Sequence, residues 1–537
     1  MLNKLIRLFN SKPIISILIP VYNTPSEILK KCLDSVLKQS YQKWELCIVD
    51  DGSTRSDVRA ILKNYSQKDS RICLKFSHSN DGIAATINKA AGMAVGKYIG
   101  VLDHDDELES SALLEYVQMI EKHPDADLIY CDEDKIDESG NYSDLWFKSD
   151  WNPDLSLSFN YVMHFAVYRR SLFWKVKGVR KKYEGSQDYD LLLRVTEITK
   201  RIYHIPKILY HWRMAPGSIA SAAEAEQAKP YVFVHGLAAL NDALIRRGIE
   251  GVAEDAPDAW KGVYRVKRKI VKPLSCSIVV RFYGDHTALS RLLNSIANHV
   301  PMESCETLIC LHSPLTINKN EFPERVRWIE FNDLCPITSA FNLGAKNASG
   351  EVLWFLDETM ELISAESYTC LLEHVQRMEV GAVGGNIYYS NGLIEHGGII
   401  LGPFQLLGYA HRATPDNPGY AGLKNMICNY SAVMGFGMMT RRDLFISVGG
   451  FDEGYETLYW DVDYCLRLGN KGYQITYTPY AKFRHHIPAK PIHEMIAEPD
   501  AAYFRKRWQS IIDNDPYFNP NFTRDLEDFS FKIRNFD

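Results

Sequence analysis

The sequence predicts an α/β fold with two tandem domains, each a mostly parallel sheet with helices on both faces, and three observations carry that prediction. Apolar, β-branched runs of strand length alternate with segments of helical periodicity; acidic residues stand at the ends of the apolar runs; and the pattern of the first half returns in the second. A chain of 537 residues with 46% apolar and 12% aromatic residues has ample material for a core in each domain.

The elements follow in order. Ile14 to Val21 is a β-branched run closed by Pro20-Val21-Tyr22-Asn23-Thr24-Pro25, which predicts a buried strand ending in a turn. From Ser26 onward Ile28, Leu29, Cys32, Leu33, Val36 and Leu37 form one stripe, with Lys30, Lys31 and Lys38 opposite, the pattern of an amphipathic helix. A second strand, Trp44 to Val49, stops at Asp50-Asp51-Gly52-Ser53, and a third covers Ile72 to Phe76. After a helix around Asn88, Lys97 to Leu102 predicts a strand running into Asp103-His104-Asp105-Asp106. Sheets of this kind bind ligands at the carboxyl ends of their strands, where both acidic clusters fall.

The internal repeat is collinear. Ser16-Ile-Leu-Ile-Pro-Val-Tyr22 returns as Ser277-Ile-Val-Val-Arg-Phe-Tyr283, and Leu33-Asp-Ser-Val36 as Leu293-Asn-Ser-Ile296. Asn88 precedes Gly96 as Asn342 precedes Gly350, and each glycine leads into an apolar strand ending in Asp, Asp103 or Asp357. Asp188-Tyr-Asp190-Leu-Leu-Leu-Arg194 returns as Asp461-Val-Asp463-Tyr-Cys-Leu-Arg467. The copies divide at 1–264 and 265–537, with a helical stretch at 221–248 closing the first.

Composition excludes several classes. With 61 Lys+Arg against 67 Asp+Glu, a net charge of −6, no global basic field exists to hold nucleic acid. The 11 cysteines contain no Cys-x-x-Cys pair, against a disulfide framework or a thiolate zinc site and in keeping with a reducing compartment. No apolar run reaches the roughly 18 residues needed to span a bilayer. Met1 to Ser11, with Lys4 and Arg7 among apolar residues, reads as a frayed or packing terminus, with a small interfacial helix as the alternative. No glycine-rich phosphate loop with its Lys-Ser/Thr precedes the acidic motif.

Three constellations carry chemistry. Asp103 and Asp105 bring hard oxygen ligands together, which suits Mg²⁺ or Mn²⁺ with positions left for water and phosphate. Asp188 falls in the first turn of a helix, where a carboxylate caps the helix or serves as a general base toward an acceptor hydroxyl. Tyr210-His211-Trp212-Arg213 follows a strand; His211 is there a packed residue or, with Arg213, a contact for pyrophosphate.

Taken together, Pro20-Val-Tyr-Asn-Thr24, Trp44 through Ser53, Leu102-Asp-His-Asp-Asp106, Gly185-Ser-Gln-Asp-Tyr-Asp190 and Tyr210-His-Trp-Arg213 resemble glycosyltransferase family 2, the inverting nucleotide-sugar enzymes of the GT-A fold. Asp132-Glu-Asp-Lys-Ile-Asp137, Asp150-Trp-Asn-Pro-Asp154, Gly449-Gly-Phe-Asp-Glu453 and Asp515 to Asn521 extend the resemblance to tandem-domain bacterial transferases of O-antigen, rhamnan and capsule biosynthesis. The resemblance implies that Pro20, Tyr22, Asp50 and Asp51 hold the nucleotide base. It implies that Asp103, Asp105 and His211 serve a Mn²⁺ or Mg²⁺ ion, Asp105 ahead of Asp103 as direct ligand, and that Asp188 is the catalytic base. Trp146, Trp151, Asn152 and Gln187 are candidate sugar or acceptor contacts, with core packing as the equal reading of the first three. The implied reaction is an in-line displacement with inversion, from a UDP- or dTDP-linked donor to a growing surface glycan or lipid-linked acceptor. A cytoplasmic enzyme, peripheral on the inner membrane and working within a biosynthetic complex, goes with it.

The second copy departs from the family pattern. Leu356-Asp357-Glu358-Thr359-Met360 sets Thr359 and Met360 where acidic ligands belong, Arg281 replaces the proline, and no Asp-Asp pair ends the second strand. Asp461, Asp463 and His485-His486 remain, so Asp357, Asp461 and His485 are the candidate second site. The expectation is a second domain whose transferase chemistry is lost or altered and that supports acceptor binding, assembly or stability. The alternatives are two active domains making different linkages, and a non-catalytic scaffold that binds nucleotide sugar or glycan.

Overall fold

The computed structural model describes residues 12–214, 229–312, 317–331, 336–412, 418–489, 498–526 and 528–532. The interfacial-helix expectation for Met1 to Ser11 lies outside them, as does the start of the helical stretch at 221–248, within which a helix runs Tyr231–Arg246. The chain forms two compact units. The first takes the described residues of Met1–Trp151 with Phe159–Asp255 and Trp260–Tyr264; the second takes Asn152–Ser158, Ala256–Ala259 and those of Arg265–Asp537.

In the first unit nine strands make one sheet: β1 (Ile15–Val21), β2 (Trp44–Asp50), β3 (Ile72–Phe76), β4 (Tyr98–Val101), β5 (Glu107–Leu108), β6 (Leu128–Ile136), β7 (Tyr142–Trp146), β8 (Val167–Arg169) and β9 (Ile202–Arg213). Their order is β3-β2-β1-β4-β8-β6-β9-β5, with β7 on β6. β3, β2, β1 and β4 are parallel, as their long apolar runs predict, because such strands are buried on both faces. β8 runs antiparallel between β4 and β6, and β5 antiparallel on β9. Both are too short for a periodicity to register, so the sequence reading has no strand there.

The helix Ser26–Leu37 buries Leu29, Cys32, Leu33 and Val36 into the core with Ile17, Ile19, Leu46 and Ile48 of β1 and β2. Fully burying each such side chain is worth about 1.5–3 kcal/mol.

The second unit repeats this plan. Its strands, in the same spatial order, are Val326–Phe331, Cys305–His312, Cys276–Phe282, Val352–Asp357, Met439–Arg441, Val380–Tyr389, Gln474–His485 and Met360–Leu362. The α/β class and the two tandem GT-A copies are as the sequence predicts. Small polar contacts repeat with the strands. Gly96 N–H donates to Ser16 Oγ at 2.9 Å and Gly350 N–H to Ser277 Oγ at 2.8 Å. A Cβ on either glycine would lie within 3 Å of that serine, so the backbones meet there only as glycine.

Candidate active site in the first unit

At the carboxyl end of β2, Asp51 is buried and its carboxylate accepts the N–H groups of Asp81 (3.1 Å) and Gly82 (2.9 Å), with Lys89 Nζ 3.9 Å away. It thereby ties the strand end to the N-terminus of the helix Ile83–Met93. Asp50 is fully buried; Ser53 N–H donates to Oδ1 at 3.3 Å, and Arg59 Nε lies 3.4 Å from Oδ2. Pro20 lies buried within β1 and Tyr22, just beyond it, is exposed, so the aromatic ring and the acids stand at the ends of two paired parallel strands.

Past β4, the ligand atoms of Asp103, Asp106 and His164 lie within 4.8 Å of one another. Asp106 is buried, accepts Arg213 N–H at 2.7 Å and the Tyr210 hydroxyl, and burial holds its carboxyl well above the usual carboxylate range. Burial raises Asp103 also, with His164 opposing and Asp105 adding to the shift. His164 stacks on Tyr210, ring centroids 4.8 Å apart, with Nδ1 3.5 Å from Glu133 Oε1. Burial would lower its pKa, but Glu133, Asp106 and Asp103 outweigh it and bring it to about 9. Glu133 is itself paired with the fully buried Lys148, Nζ to Oε2 2.7 Å, and Lys148 Nζ also donates to the His164 carbonyl at 3.1 Å. Two carboxylates and an imidazole on one spot form a mixed oxygen and nitrogen set able to hold a divalent metal ion.

The other two residues expected at the metal are not among these three. Asp105 stands beside the cluster with a third of its side chain exposed, its Oδ1 3.6 Å from His104 Nδ1. His211 projects to the face of β9 opposite Tyr210 and Trp212, because successive strand residues alternate. There its Nδ1 meets Asp134 Oδ1 at 2.6 Å, and its Nε2 lies 3.5 Å from Glu109 Oε2.

Asp188 lies half-buried in the first turn of the helix Gln187–Thr196, where the helix dipole favours a carboxylate. Asn160 Nδ2 donates to its Oδ2 at 2.8 Å. Burial raises its pKa, against the Tyr189 N–H and the charge of His164, and Asp188 in turn raises Asp103, so the three groups share one field. Gln187 is buried, its Oε1 accepting Gly185 N–H at 2.6 Å. Trp146 packs on Phe159 with Lys148 Nζ 5.1 Å from its ring, and Trp151 stacks on Tyr161. Asn152 belongs to the segment grouped with the second unit, and its amide is engaged on both sides by the Asn429 backbone at 2.9 Å.

Sequence reasoning missed His164, Glu133 and Lys148 and left Asp106 out of the candidate metal residues. Asp132-Glu-Asp134 was legible as a motif but not as three separate roles: Asp132 holds His204 (2.8 Å), Glu133 holds Lys148, and Asp134 holds His211.

In the second unit Leu362 N–H donates to Ser295 Oγ at 3.1 Å, as Leu108 N–H does to Ser35 Oγ at 3.1 Å. That match aligns the ladders: Met360 takes the place of Asp106, Arg484 that of His211 and His485 that of Trp212. Counting back from the aligned pair Val167 and Met439 sets Phe436 at the place of His164. Asp357 is capped by its own loop, accepting Thr359 N–H at 3.0 Å and Oγ1 at 2.5 Å.

The family model "Glycosyl transferase family 2" matches residues 16–177. The chain is 34% identical to "Uncharacterized protein y4gI" of Sinorhizobium fredii over 98% of this chain and 60% of that protein. It is 32% identical to "O-antigen biosynthesis protein RfbC" of Myxococcus xanthus over 95% of this chain and 40% of that one, so it spans about half the length of these two relatives. It is 30% identical to "Putative glycosyltransferase EpsE" of Bacillus subtilis over 38% of this chain and 74% of that protein. The matched model lies across the half-sheet that carries Asp51, Asp103 and His164, and the chain belongs to glycosyl transferase family 2.

Proposed function

We propose that the first unit is an inverting glycosyltransferase that moves a sugar from a UDP- or dTDP-linked donor to a growing surface polysaccharide or lipid-linked glycan. The observation that carries this reading is the convergence of Asp188 with Asp103 and His164 in one field, beside the Asp50-Asp51 strand end of the same sheet. Tyr22, Pro20, Asp50 and Asp51 would hold the nucleotide base. Asp103, Asp106 and His164 would hold Mn²⁺ or Mg²⁺, with Asp105 at the open side toward the diphosphate and His211 orienting Asp134. When bound, the ion supplies positive charge for the leaving diphosphate.

Asp188 takes the proton of the acceptor hydroxyl while that oxygen attacks the anomeric carbon, the bond to the diphosphate oxygen breaks, and the configuration inverts. Its raised pKa suits a base that must accept a proton near neutrality. Trp146, Trp151 and Gln187 are the proposed sugar and acceptor contacts.

No helix among the described residues is long and apolar enough to cross a membrane. The proposal sets the enzyme at the cytoplasmic face of the inner membrane, where nucleotide sugars meet lipid-linked acceptors. Turnover of a nucleotide-sugar panel with Mn²⁺ and with chelator tests the reading: Asp188→Asn is expected to lose at least about 100-fold in kcat with donor affinity kept. Full transfer by that variant overturns the assignment of the base.

A further inference from the structure

The second unit holds a partly open cavity of about 150 Å³ between the end of the strand Gln474–His485, the segment before Met439–Arg441 and the N-terminus of the helix Trp460–Asn470. Its Phe436 and Asp461 stand at the places of His164 and Asp188 of the first unit, so it is the counterpart of that site built from different residues. Asp106 and His164 of the first unit correspond to Met360 and Phe436, so two of the three metal-capable groups are apolar here. Among the described residues no cluster in this cavity gathers three ligand atoms.

What remains polar is specific. Asp461 accepts Gly435 N–H at 2.7 Å and Val462 N–H at 2.9 Å, which fixes its carboxylate at the helix end. His485 is held through Nδ1 by the buried Glu395 at 2.8 Å, leaving Nε2 as the ring's other polar atom, and its ring lies 5.9 Å from Phe436. Tyr409, Phe436 and Trp460 supply aromatic surface, and among the described residues no lysine or arginine lines the cavity.

We infer that this cavity binds the neutral pyranose ring of a glycan without a metal ion. Aromatic faces accept the C–H face of a pyranose, and a carboxylate and an oriented imidazole take its hydroxyls. A nucleotide diphosphate is disfavoured, since the Asp461 carboxylate would repel it and no lysine or arginine among the described lining residues meets its charge, Glu395 being paired with His485. A lipid chain is disfavoured because it would offer no hydrogen bond to the Asp461 carboxylate or to His485 Nε2. The inference stands apart from transfer by the first unit, since it needs neither donor nor turnover.

Saturation-transfer NMR on the full chain in chelator tests it, with methyl glycosides of glucose, galactose, mannose, N-acetylglucosamine and rhamnose as probes. At least one glycoside is expected to receive saturation, to bind about tenfold more weakly in Asp461→Asn and in His485→Gln, and to be unaffected by added Mn²⁺. Thermal melts confirm that the variants are folded, and Phe436→Ala serves as a second apolar-wall variant if either polar one is not. The inference is overturned if no glycoside binds, if binding survives the second-unit variants, or if UDP or dodecyl maltoside alone occupies the cavity.

Discussion

Asp188 and His164 owe their chemistry to their surroundings. A histidine in water titrates near 6.5 and does not gather carboxylates; here two aspartates and Glu133 draw His164 into their field. Replacing His164 by Ala is expected to weaken Mn²⁺ binding by about 10–100-fold, read by electron paramagnetic resonance on the free ion. The second unit holds the opposite case. Burial pulls His396 and His374 down to about 3. Both nitrogens of His396 are used while neutral, Nδ1 on the Gly385 carbonyl (3.3 Å) and Nε2 accepting Met434 N–H (3.0 Å). Because the folded pKa lies below the unfolded one, unfolded chains take up the protons as pH falls below about 6.5. Stability should therefore drop at about 1.4 kcal/mol per pH unit for each of these histidines, between about pH 6 and pH 3. Urea midpoints at pH 7 and pH 5 measure it, and His396→Gln should remove one histidine's share of the slope.

At the scale of elements, β6 is the strand on which the candidate site is hung. Its Asp132, Glu133 and Asp134 hold three different partners, and the Glu133–Lys148 pair fixes the segment that presents His164. Breaking a buried ion pair leaves the other charge uncompensated, so Lys148→Met should cost about 3–5 kcal/mol in denaturant unfolding. Were the loss under 1 kcal/mol, the pair would not be what holds that segment. The parallel strands β1, β2 and β4 were legible because each is a single unbroken apolar run. β5 and β8 were not: at two and three residues they exist only because longer neighbours offer them a ladder. The motif at Asp103 was legible as acidic and at a strand end. Which of its carboxylates turns inward is set by the Tyr210 and Arg213 contacts to Asp106, and those lie more than a hundred residues away.

For the whole molecule, two copies of one fold carry different residues at corresponding places. Because Met360 and Phe436 stand at the places of Asp106 and His164, we expect one glycosidic linkage from the chain. Linkage analysis of products should find Asp461→Asn unchanged in linkage and Asp188→Asn without product; loss of one linkage in the Asp461 variant would mean two transferases. The duplication was determined by the sequence alone, because strand-length apolar runs, Ser16 and Ser277 and the paired glycines recur in one order, and local pattern is enough to specify which elements form. So was the family, since its turn and helix-start motifs are contiguous. The membership of the metal-capable cluster, the turning of His211 to the opposite face, and the alignment of His485 with Trp212 were decided only by the tertiary structure. Each depends on strand register, where a shift of one residue reverses every side chain, and register is fixed by contacts between segments that no local pattern records.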